Sequence, residues 1–232
     1  MASSSERSQI RRLPRLVVSW LIKLALVLVL SGVAAVGYLV LRTKDPFYVL
    51  RELKNWSDYE RYDTLITQIA NEHLLDPRLV KAVVWRESRF QADMIGKNNE
   101  RGLMQVSEIA ARDWAQSNSV TNFEPNQLFN PEINLEIGCW YLSKALQRWN
   151  SQTEPVPFAL AEYNAGKSRV DRWIRVALQR SKLPRSAEAF EDSIDFPSTA
   201  HYVRTILARY DFYKRRGPLA GESGSTSTST AE

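Results

Sequence analysis

Among the residues able to do chemistry, Glu87 stands out because the helical pattern around it predicts that it is buried. In the stretch 77–90, Val80, Val83 and Val84 recur at helical spacing, and the next position on that face is Glu87. A carboxyl in a partly apolar cleft has its neutral form favoured. A general acid that works near neutral pH needs this property.

The alternative interpretation of Glu87 is a structural ion pair or a helix-end residue. Isolated carboxylates are rarely buried without a partner, and Arg86 and Arg89 are close in the chain. Successive positions lie about 100° apart around a helix, so these arginines are expected to point away from the face of Glu87.

Metal, thiol and serine chemistry receive little support from the sequence. The chain has one cysteine, Cys139, which forms no intrachain disulfide and has no cysteine partners for a metal cluster. His73 and His201 are too few and too isolated for a histidine metal site. No acidic pattern accompanies His201, so a serine–histidine–acid set is not indicated either.

Four short motifs follow one another along the chain. They are Glu87-Ser-Arg-Phe90, Gly102-Leu-Met-Gln105, Ala161-Glu-Tyr-Asn-Ala-Gly166 and Pro197-Ser-Thr-Ala-His-Tyr-Val203. In this order and spacing they resemble the soluble lytic transglycosylase (SLT) family, whose domain is similar to goose-type lysozyme. The resemblance covers about residues 58–212.

The resemblance implies an all-α, lysozyme-like fold and cleavage of the MurNAc–GlcNAc β-1,4 bond in peptidoglycan glycan strands. Glu87 matches the single catalytic acid of the family. By this resemblance, Glu87 is expected to protonate the glycosidic oxygen and then, as a carboxylate, to take the proton of the MurNAc C6 hydroxyl as that oxygen closes on C1. The product is a 1,6-anhydro end, and assistance by the substrate replaces the second carboxylate of other glycosidases. No metal or cofactor is implied.

The resemblance also implies substrate-binding positions around this acid. Gln105 offers both a donor and an acceptor to sugar groups, and Gly102 lets the backbone approach closely. Met104 is as compatible with core filling as with ligand contact. A tyrosine hydroxyl at Tyr163 either orients the acid or satisfies a backbone group. The full set is Ser88, Gly102, Met104, Gln105, Tyr163, Asn164 and Tyr202.

Three departures from the family pattern concern the subsites. Ser198 stands where a glutamate is frequent, and Glu162 stands where a small residue is usual; we interpret Glu162 as solvated. The loop 96–101 is polar where a serine and small residues are common.

Helix punctuation predicts the elements that position these residues. The motif Ser57-Asp-Tyr-Glu60 is typical of a capping box and predicts a helix over 57–74. Asp76-Pro77 and Asn130-Pro131 place a cap before a proline and open helices over 77–90 and 131–149. Further apolar helical patterns cover 157–165, 168–180 and 197–214. The part after the apolar segment is predicted to hold six to eight helices.

An apolar segment precedes this helical part. Eighteen uncharged residues, 24–41, are long enough to span a bilayer. Four arginines before the segment predict a cytoplasmic N-terminus and an exported remainder, so the domain faces the periplasm from the inner membrane. A cleaved signal peptide is the alternative, with small residues at Gly32 and Ala34 as a cleavage site.

The charge distribution argues against a nucleic-acid partner. Of 31 basic and 26 acidic residues, seven basic and one acidic lie in 1–44, which leaves 24 basic and 25 acidic in 45–232. The folded part is therefore near neutral, without the basic excess of nucleic-acid-binding domains. The sequence identifies no protein partner.

The predicted organisation has five parts. A basic N-terminus (1–15), an anchor or signal peptide (16–41) and a linker (42–56) precede the catalytic domain (57–214), and a disordered tail (215–232) follows. Two alternatives to a lytic transglycosylase stay open: a muramidase that hydrolyses the same bond, and a silent glycan-binding module of the envelope. Glu87 argues against the silent module.

Overall fold

The computed structural model describes residues 15–43, 59–180 and 190–222. The chain divides into two units, Met1–Trp56 and Ser57–Glu232. In the first unit, helix α1 spans Arg15–Thr43. Its segment Val17–Tyr38 has a mean hydropathy of 2.3 and no buried residue, and it is long and apolar enough to cross a membrane.

In the second unit, every regular element of the described residues is a helix. The predicted all-α class is confirmed there, since the only ladder pairs are isolated bridges, Ile95 with Arg101 and Arg101 with Val106. The α-helices are α2 (Asp63–Glu72), α3 (Pro77–Glu87), α4 (Glu108–Ser117), α5 (Pro131–Arg148), α6 (Pro155–Ala165), α7 (Lys167–Arg180) and α8 (Pro197–Arg216), with a 3₁₀-helix at Pro125–Phe129 before α5.

Side-chain caps fix the starts of the helices nearest the site. Asp76 accepts from the backbone N–H of Arg78 and is followed by proline at the first position of α3. Asn130 caps α5 in the same way, accepting from the N–H groups of Glu132 and Ile133. The two predicted cap-and-proline signals therefore mark real helix starts.

Helix α3 lies in the middle of the hydrophobic core. Val80, Val83 and Val84 are completely buried, and α3 packs against α2 on one side and α8 on another. A buried ion pair joins α3 to α2, because Lys81 Nζ donates to Asp63 Oδ2 at 2.7 Å. These contacts fix the position of the helix that ends at Glu87.

The observed elements differ from the predicted ones mainly at the start of α2, at the end of α3 and by the presence of α4. Helix α2 begins at Asp63, not at 57, with Tyr62 as an N-cap that makes no side-chain cap bond. Ser57 and Asp58 of the predicted capping box lie outside the described residues. Helix α3 ends at Glu87, not at 90, because Arg89 and Phe90 adopt positive φ angles. Helix α4 was not predicted.

The predicted disordered tail begins too early at 215. Helix α8 extends to Arg216, and beyond it Leu219 is buried. The hydroxyl of Thr67 donates to the carbonyl of Ala220 at 3.0 Å, and Glu222 lies 3.6 Å from Arg78. One apolar side chain and two polar contacts hold this segment on the domain. Residues 223–232 lie outside the described residues.

Candidate active site

Glu87 is presented at the end of α3 by an abrupt change of backbone direction. Ser88 is the C-cap, and Arg89 and Phe90 follow with φ of 53° and 63°. This left-handed turn is costly for residues with side chains, so the surrounding structure must hold it. Phe90 supplies one such hold, since its ring is buried and packs 5.3 Å from the ring of Tyr59.

The carboxyl of Glu87 is held by a tyrosine from α8. The hydroxyl of Tyr202 donates to Glu87 Oε1 at 2.6 Å. Burial raises the pKa of Glu87 to about 7, while the Tyr202 hydrogen bond and the charge of Arg86 oppose this rise and the negative charge of Glu100 adds to it. Near neutral pH the carboxyl therefore exists in both protonation states, as an acid that later serves as a base requires.

Tyr202 itself is a buried donor with a fixed orientation. Its side chain is almost completely buried, and the guanidinium of Arg86 lies over its ring at 5.4 Å. Burial and the charge of Glu87 raise the pKa of Tyr202 well above its ordinary value. The phenol consequently stays protonated and continues to donate to Glu87.

Two roles were considered for Tyr163, orienting the acid and satisfying a backbone group, and the structure shows the second. Its hydroxyl donates to the carbonyl of Met104 at 3.0 Å, so it satisfies a backbone group. The tyrosine that contacts the acid is Tyr202, from the last motif. Both residues are among the predicted site residues, but the sequence did not assign the contact with Glu87 to Tyr202.

A tight loop after α3 forms one wall of the site. Arg101 and Val106 exchange two backbone hydrogen bonds of 3.0 Å, which close the turn that contains Gly102. Gly102 has a φ of 77°, and a Cβ there would lie 2.3 Å from both Asn134 Nδ2 and the carbonyl oxygen of Leu128. The motif glycine thus permits a close approach of the loop to α5.

Gln105 uses its donor inside this loop. Its Nε2 donates to the carbonyls of Met94, at 3.2 Å, and Gly102, at 3.0 Å. The sequence predicted that Gln105 offers both a donor and an acceptor to a sugar. Because backbone carbonyls already accept from the amide nitrogen, the amide oxygen is the group of Gln105 that is left to contact a sugar.

The side chains of Ser88 and Met104 lie beneath the cleft. Ser88 is buried and donates to the carbonyl of Leu103 at 2.8 Å. Met104 is fully buried against α5, where a Cβ on Gly138 would lie 2.4 Å from its sulfur. Of the two roles open to Met104, core filling is therefore the observed one. Ser88, which belongs to the predicted substrate-binding set, bonds to the loop backbone instead of facing the cleft.

Two side chains of α6 occupy the opposite side. Asn164 is exposed, and its Oδ1 accepts from the hydroxyl of Thr199 at 2.8 Å. Glu162 is not solvated as predicted. It forms an ion pair with Arg148 and accepts from the indole N–H of Trp149 at 2.7 Å, so two partners compensate its partial burial.

Asn134 is a supporting residue that the sequence analysis missed. It is completely buried; its Oδ1 accepts from the N–H of Met104 at 2.8 Å, and its Nδ2 donates to the carbonyls of Arg101 and Leu128 at 2.7 and 2.8 Å. One signal in the sequence could have found it: Asn134 lies one helical turn before Gly138, on the same face of α5. An amide buried on such a face requires hydrogen-bond partners.

These residues surround a cleft of about 830 Å³. Glu87, Gln105, Tyr163 and Asn164 line it, whereas Ser88, Gly102, Met104 and Tyr202 lie behind the lining. The charged residues of the lining are Arg86, Glu87, Lys97, Glu100, Arg148, Glu162 and Lys167. Within the described ranges, no three histidine, cysteine, aspartate or glutamate side chains gather as metal ligands.

Comparison with known proteins shows similarity to lytic murein transglycosylases. The soluble lytic murein transglycosylase of Salmonella typhimurium is 32% identical over 155 residues, which are 66% of this chain and 23% of that protein. Membrane-bound lytic murein transglycosylase F of Desulfosudis oleivorans is 24% identical over 176 residues, with 67% of this chain and 37% of that protein covered. The chain thus matches between 23% and 37% of the length of these relatives.

A solved structure of similar fold is the 70 kDa soluble lytic transglycosylase of Escherichia coli. The TM-score is 0.60 at 28% sequence identity, over 69% of this chain and 25% of that one. The family model for the transglycosylase SLT domain matches residues 64–184, which include Glu87 and the first three motifs. The chain therefore belongs to the transglycosylase SLT domain family.

Proposed function

We propose that this protein is a membrane-anchored lytic transglycosylase that cleaves the MurNAc–GlcNAc β-1,4 bond of peptidoglycan. The observation that carries the proposal is Glu87, a partly buried carboxyl with a raised pKa in a cleft of a domain whose relatives are lytic murein transglycosylases. A carboxyl with a pKa near 7 is an effective proton donor at neutral pH.

In the proposed reaction Glu87 first gives up a proton and then takes up another. Its protonated carboxyl gives the proton to the bridging oxygen, and the bond between that oxygen and C1 of MurNAc breaks. The carboxylate then takes the proton of the C6 hydroxyl while the C6 oxygen bonds to C1. The glutamate ends in its starting protonation state, and the product carries a 1,6-anhydro ring.

Tyr202 supports both halves of this cycle. Its hydroxyl donates to Oε1 of Glu87, so the proton to be transferred resides on the other oxygen, Oε2. After transfer, the same hydrogen bond stabilises the carboxylate, and hydrogen bonds to charged groups are the stronger ones. Tyr202 is therefore a positioning residue, while Glu87 is the catalytic one.

The remaining predicted residues shape the cleft. The amide oxygen of Gln105 and the side chain of Asn164 face its space and are proposed to bind sugar groups. Ser88, Gly102 and Met104 act indirectly, since they hold the loop that carries Gln105. No metal or cofactor takes part in the proposed chemistry.

We also propose that α1 anchors the domain in the bacterial inner membrane, with the catalytic unit in the periplasm. The support is the length and hydropathy of Val17–Tyr38, the basic residues before it, and a relative named as membrane-bound. Peptidoglycan, the proposed substrate, lies on that side of the membrane.

The test is the mass of the products released from purified peptidoglycan by the full-length protein in detergent. A lytic transglycosylase gives ends that are lighter, by one water, than the ends a muramidase gives. A predominance of the heavier ends would replace our proposal by the hydrolytic alternative. No cleavage by a folded protein would favour the silent glycan-binding module.

A further inference from the structure

A second carboxylate lines the cleft and has no part in the reaction proposed above. Glu100 belongs to the polar loop between α3 and α4, where the family pattern has small residues. Its side chain accepts two hydrogen bonds from one residue: the backbone N–H of Asn98 donates to Oε2 at 3.0 Å, and Asn98 Nδ2 donates to Oε1 at 2.8 Å.

The turn that contains Glu100 fixes where this carboxylate lies. The N–H of Gly96 donates to the carbonyl of Glu100 at 2.7 Å and closes the turn. A Cβ on Gly96 would lie 2.5 Å from Glu100 Oε2 and 2.5 Å from Gln105 Oε1. The glycine therefore leaves room for two acceptor oxygens at one point of the lining, and one of them carries a charge.

The environments of Glu87 and Glu100 drive their protonation in opposite directions. Partial burial raises the pKa of Glu100, but the hydrogen bonds from Asn98 outweigh it, so the pKa lies below its ordinary value. For Glu87 burial dominates, and the charge of Glu100 raises its pKa further. At neutral pH Glu100 is therefore charged, whereas Glu87 is still partly protonated.

Other groups around Glu87 do not supply this negative charge. Arg86 on the same helix is positive, and Tyr202 from α8 and Tyr163 from α6 stay neutral because burial raises the pKa of each phenol. Glu162 also lines the cleft, but its charge is compensated by the ion pair with Arg148 and by the indole N–H of Trp149. The remaining charged groups of the lining are the cations Lys97 and Lys167.

We propose that Glu100 is a positioning residue of the reaction, whose fixed negative charge keeps the proton on Glu87 until the glycosidic oxygen takes it. The proposal rests on the function proposed for Glu87. Once that proton has left, Glu100 faces a charged Glu87, and their repulsion favours recovery of a proton from the C6 hydroxyl.

The test is the pH dependence of kcat/KM for the full-length protein in detergent, because its alkaline limb reports the acid of the free enzyme. We expect Glu100→Gln to move this limb to lower pH, since Glu87 then loses its proton more readily. Glu100→Asp keeps the charge and should leave the limb nearer to that of the unmodified protein. Glu72→Gln is the matched control, because Glu72 is exposed on α2 and outside the cleft.

A merely structural role for Glu100 gives a different result. Glu100→Gln would then lower the rate by the same factor at every pH, with the limb in place, and the proposal would be overturned. Because glutamine places an amide against the donors of Asn98, Glu100→Ala provides a second removal of the charge. A thermal unfolding curve shows that each variant is folded.

Carboxyl NMR of protein labelled with ¹³C-glutamate separates this proposal from the proposed function. It follows the titration of Glu87 directly, whether or not peptidoglycan is cleaved. A titration midpoint of Glu87 that moves to lower pH in Glu100→Gln supports the coupling even for an inactive protein. An unchanged midpoint in an active enzyme refutes the coupling and leaves the proposed function intact.

Discussion

The chemistry of Glu87 is set by the free energy of placing a carboxyl at the end of the apolar face of α3 formed by Val80, Val83 and Val84. Its pKa of about 7 lies above the ordinary 4.5, mainly because of burial. The unfolded chain thus releases this proton at lower pH than the folded protein does. The folded state therefore loses stability as the pH rises from about 4.5 to 7.

Glu87→Gln is expected to abolish cleavage and to stabilise the folded protein above pH 7. Glutamine keeps the acceptor for Tyr202 but has no proton to exchange, so the stability lost on ionisation returns. We expect a gain of about 1–3 kcal/mol at pH 8, or roughly 2–4 °C in Tm for each kcal/mol, and no gain at pH 4. Thermal unfolding at both pH values measures it. An equal change in Tm at the two pH values would contradict a raised pKa.

Tyr202→Phe tests the hydrogen bond to the acid. Its loss should lower kcat by about 10- to 100-fold, because hydrogen bonds to charged groups contribute roughly 1.5–3 kcal/mol. The alkaline limb of the rate should move to higher pH, since this bond lowers the pKa of Glu87. Tyr163→Phe is the matched control, as its hydroxyl contacts the Met104 carbonyl. A shift of the alkaline limb in Tyr163→Phe but not in Tyr202→Phe would show that Tyr163, not Tyr202, holds the acid.

At the scale of elements, the loop between α3 and α4 depends on one buried amide of α5. Asn134 bonds to three backbone groups, one at each of Arg101, Leu128 and Met104. This attachment fixes the loop that carries Glu100 and Gln105. The cleft wall is thus only as stable as the contact between the loop and α5.

Asn134→Ala should therefore destabilise the protein by about 2–4 kcal/mol, because buried backbone groups lose their partners. Activity should fall as well, although Asn134 does not line the cleft. Thermal unfolding and the rate of cleavage measure the two effects. Asn118→Ala is the control, since its Nδ2 donates to a single carbonyl, that of Trp114, in an exposed position. A stable Asn134→Ala with full activity would show that other contacts hold the loop.

Local signals account for the elements that the sequence predicted. Asp76-Pro77 and Asn130-Pro131 mark the starts of α3 and α5 because capping is decided within four residues. Helix α4 escaped prediction since its buried side chains are only Ala111 and Ala115, which give a weak apolar stripe.

The side-chain contacts that the sequence did not predict join distant parts of the chain. Tyr202 lies 115 positions after Glu87, so no spacing rule indicates which tyrosine holds the acid. The pairing of Glu162 with Arg148 and the approach of Asn134 to the loop have the same origin. Each exists only once helices from separate parts of the chain pack together.

At the scale of the whole molecule, the charges and the apolar residues are segregated along the chain. Seven basic residues lie in 1–44 around the apolar segment, and the remainder is close to neutral. Helix α1 exposes its apolar side chains from Val17 to Tyr38, which is unfavourable in water and favourable in a bilayer. The two units therefore suit different solvents.

The full-length protein is therefore expected to stay in the membrane pellet after a high-salt wash. Salt screens the attraction between basic residues and lipid headgroups but does not release an apolar helix from the bilayer. A chain shortened to residues 45–232 should appear in the supernatant and still cleave peptidoglycan, because all four motifs lie within it. Edman sequencing of the native protein provides the decisive check. An N-terminus at Ala35 or Tyr38 would show that a signal peptide had been removed, and the anchor would be refuted while the assignment of Glu87 stood.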